Sequence, residues 1–226
     1  MPHRPEYRPP HWVFAGAGQL ATAAGYLNTV VQEAGYQPVT HLTGSVSRLG
    51  GDLVQGDASH GWMLLSILVA FVLGATLSGV MIGGTRLKLG RPYGLAMLLE
   101  AALLATAAVT LRPAPLAALP LAAFAAGLQN AMASTYGRLI VRTTHITGVA
   151  TDLGLELGRA LRGVRTEAWK IGLLTLLMVS FFGGGVLGWR VAQAWDGLAL
   201  LGASALLAAM GGGYLVWRRV HHVFVR

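Results

Sequence analysis

The chain contains no cysteine. That removes disulfides, thiol nucleophiles, iron–sulfur clusters and Cys-based zinc sites from consideration. Charge is scarce as well. Asp, Glu, Lys and Arg make up 12% of the residues, against about 25% in an ordinary soluble domain. Nucleotide-cradling and hydrolase motifs are missing too. The sequence has no Gly-x-x-x-x-Gly-Lys, no Gly-x-Ser-x-Gly and no His-Glu-x-x-His, so an ATP-driven pump on this chain is not expected. The net charge of +8 does not point to nucleic acid, because the cations stand in short clusters between apolar runs, as membrane topology requires.

What the sequence has in abundance is apolar length. Of 226 residues, 54% are hydrophobic and 31 are glycine, and glycine is more frequent in membrane helices than in soluble ones. A hydrocarbon core of about 30 Å needs about 20 apolar residues in helix. Six windows qualify, at about 12–34, 62–84, 92–111, 115–136, 171–189 and 197–217. Trp12, Trp62, Trp169, Trp189, Trp195 and Trp217 fall near their ends, where interfacial aromatics belong. Arg112-Pro113-Ala114-Pro115 makes a sharp stop between the third and fourth. The first window also has features of a signal peptide, with Arg4, Arg8 and Ala21-Thr22-Ala23. The internal repeat described next needs it as a helix instead.

With six spans, Arg4, Arg8, Arg86, Lys88, Arg91, Arg159, Arg162, Arg165, Lys170, Arg218, Arg219 and Arg226 share one side, and only Arg48, Arg112 and Arg190 face the other. The positive-inside rule then puts both termini in the cytoplasm. The expected setting is a bacterial inner membrane, with the lipid bilayer as the first partner.

The two halves resemble each other. Gly25-Tyr26-Leu27-Asn28, His41-Leu42-Thr43-Gly44, Leu49-Gly50 and Leu53 have counterparts in Gly127-Leu128-Gln129-Asn130, His145-Ile146-Thr147-Gly148, Leu153-Gly154 and Leu157. Gly79-x-x-x-Gly83 pairs in the same order with Gly184-x-x-x-Gly188. Residues 1–111 and 112–226 therefore read as two three-helix repeats. Three is odd, so the second enters the membrane in the opposite sense. The expected fold is an all-α membrane protein of six transmembrane helices in a 3+3 inverted repeat. Its first and fourth helices are interrupted at the His-x-Thr-Gly segments, each of which forms a re-entrant or amphipathic helix.

These Gly-Tyr-x-Asn, His-x-Thr-Gly and Gly-Leu-Gln-Asn motifs resemble the YoaK-type bacterial inner-membrane proteins, a family of six-helix proteins of unknown function. The resemblance runs from about Gly16 to Trp217. It implies the fold and the location and supplies no activity. Members commonly carry Asp where Asn28 stands and Asn where Ser45 stands, so this chain departs at both positions.

The candidate substrate contacts are Asn28, His41, Thr43, Gln129, Asn130, His145 and Thr147. His41 and His145 can titrate near neutral pH or bind metal. They can equally cap a broken helix, and two His alone make a poor zinc site. No metal or other cofactor is therefore expected. The amides can bond a solute or a neighbouring helix. Glu100 lies in the middle of the third window between Leu99 and Ala101. A mid-bilayer acid costs about 2.5–3.5 kcal/mol on insertion scales, which makes it a candidate proton-coupling group. It is open to protonation or to pairing with Arg138 or Arg142, which are candidate anion or headgroup contacts four residues apart. Gly-x-x-x-Gly pairs serve helix packing within the fold, or a homodimer.

The functional expectation is a non-enzymatic transporter or permease for an unidentified small solute. Its site lies between the two His-x-Thr-Gly segments. A passive channel of the same architecture, or a non-transporting structural or regulatory subunit, is the alternative.

Overall fold

The computed structural model describes residues 9–83, 90–134 and 143–220. Among the described residues the chain is all helix: α1 His11–Glu33, α2 Leu42–Gln55, α3 Ala58–Ile82, α4 Arg91–Thr110, α5 Pro115–Ser134, α6 Ile146–Leu161, α7 Ala168–Trp195 and α8 Leu200–Val220, with a 3-10 turn at Asp196–Ala199. Four stretches are long and apolar enough to cross a membrane, namely Ala58–Ile82, Arg91–Thr110, Pro115–Ser134 and the α7–α8 run Ala168–Val220. The expected fifth and sixth spans thus lie in one apolar run. The expected first span, α1, has the length at 23 residues but carries Gln19, Asn28, Thr22 and Thr29, which lower its hydropathy.

Local chemistry sets the breaks. Beyond α1, Gly35 takes φ 89°, and the Tyr36 N–H reaches back to the Val31 carbonyl at 3.2 Å. Glycine adopts this left-handed geometry without the Cβ penalty. Pro38 follows. The chain then folds back to begin α2 rather than continuing α1. Asp57 caps α3, its carboxylate accepting from the His60 N–H at 3.1 Å. That bond, with help from the Ser59 hydroxyl, holds the Asp57 carboxyl below the usual carboxylate range. The cap is therefore complete at neutral pH and weakens as acidification protonates it. Between α7 and α8, Asp196 has φ 52°, and both its carboxylate oxygens accept from the Arg112 guanidinium. The Arg112-Pro113-Ala114 stop thereby anchors the second reversal as well as its own.

The helices pair across the chain. Along α1 and α7, contacts advance together, from Gly18 near Leu176 and Ser180 to Thr29 near Gly185 and Gly188, so the two run in the same direction. α4 and α8 run oppositely. Tyr214 donates to the Gly90 carbonyl, Ser204 donates to the Ala101 carbonyl, and Gly197 faces Leu111. α3 lies on α5, α2 on α3 and α6 on α7. Among these helices α1 contacts only α5, α7 and α8, while α5 contacts only α1, α3 and α4.

Glycine makes the two crossed pairs possible. Cβ atoms on Gly25 and Gly184 would strike the Phe181 and Thr22 carbonyls, and Cβ atoms on Gly127 and Gly74 would strike the Phe71 and Phe124 carbonyls. The contacts are reciprocal, and they correct one sequence match. In α3 the close approach is made by Gly74 and not by the Gly79-x-x-x-Gly83 pair, since Gly79 faces open space and Gly83 ends α3 in a left-handed turn at φ 51°. Outward faces are apolar, with Val80 76% and Phe182 72% exposed. Such a surface is stable against lipid and not against water.

The two ends of the bundle differ in charge. One gathers Arg91 at the start of α4, Lys170 at the start of α7, Arg165 just before it, and Arg218 and Arg219 at the end of α8. The other holds Arg190 near the end of α7 and Arg112, which is paired with Asp196.

Candidate functional site

Glu100 is the tenth residue of the 20-residue α4. It is fully buried, and among the described residues neither carboxylate oxygen has a hydrogen-bond partner. Burying a polar group unpaired is expensive, and few native groups tolerate it. Arg138 and Arg142, the cations considered for it, lie outside the described residues.

The amides of α1 and α5 divide into satisfied and unsatisfied. Gln129 is 1% exposed. Its Nε2 donates to the Leu20 carbonyl at 2.7 Å and to Thr143 Oγ1 at 3.2 Å, tying α5 to α1. Gln129→Leu is expected to cost about 0.6–1.7 kcal/mol, the range of inter-helix side-chain bonds in membranes, measured by unfolding in detergent. Asn28 accepts from Thr40 Oγ1 at 2.7 Å, which holds the returning chain against α1. Its counterpart Asn130 has a buried Oδ1 with no partner among the described residues.

His41 and His145 are both exposed and occupy the N-cap positions of α2 and α6 without a capping hydrogen bond. Each ring lies over the glycine three residues on. A Cβ on Gly44 would sit 3.0 Å from His41 Nδ1, and one on Gly148 would sit 2.5 Å from His145 Nδ1. This accounts for the His-x-x-Gly spacing in both halves. Thr43 and Thr147 are exposed in the first turns. α2 and α6 make no contact with each other. A Gly148→Ala change should therefore destabilise, and His145→Ala should relieve part of the loss, with a coupling of at least about 0.5 kcal/mol in a double-mutant cycle.

Sequence reading did not pick out several residues that shape this region. Thr40 and Thr144 are buried and precede the two histidines, so the repeated motif is Thr-His-x-Thr-Gly. Tyr26, inside the Gly-Tyr-x-Asn motif, donates from its hydroxyl to the Ala199 carbonyl at 2.9 Å. A groove of about 650 Å³ lies between α1 and α8 at the basic end, lined by Trp12, Gly16, Gln19, Met97, Met210 and Trp217 among others. A second cavity of about 460 Å³ continues the same seam toward Trp195, sharing Leu206 with the first. No spacing rule exposes a loosely packed seam between helices that are distant in sequence.

Apolar helices with lipid-compatible faces and an internal polar set define a multi-pass helical membrane protein. More particularly, the chain belongs to the family described as Protein of unknown function (DUF1275), whose model matches residues 17–213. Comparison with curated proteins and with solved structures finds no match.

Proposed function

We propose that this chain is a proton-coupled transporter of a small solute, built as a 3+3 inverted repeat in the bacterial inner membrane with both termini cytoplasmic. α1 to α4 form one repeat and α5 to α8 the other. The reciprocal glycine contacts support the repeat, because exchange of the halves turns the α1–α7 pair into the α5–α3 pair. Opposed α4 and α8 and the charge difference between the ends support the inversion. The observation that carries the transport reading is Glu100, a buried carboxyl at mid-helix with no partner among the described residues. A group of this kind can hold a proton in one state and release it in another when access changes.

Asn28, Gln129 and Asn130 are the proposed solute contacts nearest the helix interior, with Asn130 Oδ1 free to bond. His41, Thr43, His145 and Thr147 stand at the helix starts of the two repeats.

Two experiments test the reading. Gln55→Cys and Arg162→Cys, exposed at the ends of α2 and α6, should label from opposite sides of the membrane. Labelling from the same side removes the inverted repeat. Thermal unfolding in detergent against sugars, organic acids, amines, nucleosides and metals should reveal the solute. A ligand at 100 times its Kd stabilises by about 2.7 kcal/mol. The transport reading requires a solute that stabilises and is also taken up under a proton gradient. Flux without a gradient and without saturation favours a channel. Binding that appears only with a neighbouring protein favours a regulatory subunit.

A further inference from the structure

The same exchange that relates the glycines relates α4 to α8. The pair Gly94 and Gly211 becomes Ser204 and Ala101, and both pairs are in contact. In this register the mate of Met210 is Glu100, and the mate of Gly16 is Ala118. Met210 and Gly16 line the groove of the α1–α8 seam. Glu100 and Ala118 are fully buried, in α4 and α5, which pack directly on one another. Two seams that the repeat makes equivalent are thus in different states. The α1–α8 seam holds a groove at the basic end that reaches Met210 and a second cavity toward Trp195, while the α4–α5 seam is shut around Glu100 and Ala118.

From this asymmetry we infer that the α4–α5 seam opens toward the Arg112 end when the α1–α8 seam closes, and that Glu100 lines the cavity so formed. This rests on the transporter reading above and deepens it by assigning the side from which the carboxyl exchanges its proton. A closed packing and an open packing of equivalent helices are alternative arrangements of one interface type, as a bistable element requires. Met210 at the groove is the apolar counterpart. Proton exchange is therefore confined to one of the two states, and its cavity faces the Arg112 end.

The cysteine-free chain allows a direct test in sealed vesicles of known orientation. A membrane-impermeant thiol reagent should label Met210→Cys and Gly16→Cys from the basic end. It should label Glu100→Cys and Ala118→Cys from the Arg112 end. Conditions that speed one pair should slow the other. Ala118→Cys adds one sulfur to a small side chain and keeps the test valid if Glu100→Cys does not fold. Labelling of the Ala118 and Glu100 reporters only from the basic end, or from neither end, overturns the proposal. So does a joint rise of both pairs. Alternating labels with no transported solute would leave the seam exchange standing and remove the transport reading. Proton-driven uptake by the unsubstituted chain, with Ala118→Cys and Glu100→Cys unlabelled, would do the reverse.

Discussion

Glu100→Met is expected to stabilise the purified protein in detergent by about 2 kcal/mol, the scale of one unsatisfied buried polar group, while abolishing proton-driven uptake. In the proposed repeat, methionine stands at the related position 210. It is unbranched and polarizable, and it fills irregular space without asking for hydrogen bonds. The native carboxyl is buried with both oxygens unpaired among the described residues, so its removal relieves a cost and breaks no bond to them. Glu100→Gln should gain less, because an amide in the same place is also unpaired, yet it should lose proton coupling just as completely. Stability gained with activity lost is the pattern of a residue kept for function. Destabilisation by both variants, measured by reversible unfolding in detergent, would assign the carboxyl to the packing of α4 instead.

The second large effect is steric. Gly25→Ala and Gly127→Ala should each destabilise by about 3 kcal/mol or more, at or beyond the upper end of the usual overpacking range. The added methyl meets a carbonyl of the partner helix, Phe181 in one case and Phe71 in the other. Backbone cannot swing aside as a side chain can, so the helices must separate and lose contacts along their length. Gly79→Ala is the control. It faces open space within α3 and should gain up to about 1 kcal/mol from helix propensity. Equal losses at all three positions would mean that flexibility, and not close approach, is what the glycines provide.

Much of the fold was legible because its rules are short-range. Apolar length gave the helices, and Arg112-Pro113-Ala114-Pro115 gave the turn between α4 and α5. The second, third and fourth expected spans coincide with α3, α4 and α5 to within a few residues. The Gly79 match went astray because a Gly-x-x-x-Gly spacing is common in a glycine-rich chain. What selects Gly74 is a carbonyl on a helix some 50 positions away in sequence, which spacing does not encode. Glu100 stood out in the sequence because a lone acid in an apolar run has no local explanation. The groove between α1 and α8 left no such mark, since Gln19 and Met210 look ordinary in their own helices. His41 and His145 show the converse. Their repetition was plain, but only geometry shows each ring resting over the glycine that makes room for it.

The crossed pairing also fixes an order of events during synthesis. α1 is the least apolar of the long helices, and among the described helices all its contacts are with α5, α7 and α8. α7 begins at Ala168, some 135 residues after α1 ends at Glu33. At about 5–20 residues per second, that interval is roughly 7–27 s. During it no helix of its own half packs on α1, while its Thr22 and Thr29 face either lipid or whatever holds the nascent chain. The insertion machinery must therefore retain α1 until the second half arrives, and a chain truncated before Ala168 should leave α1 open to quality-control proteolysis.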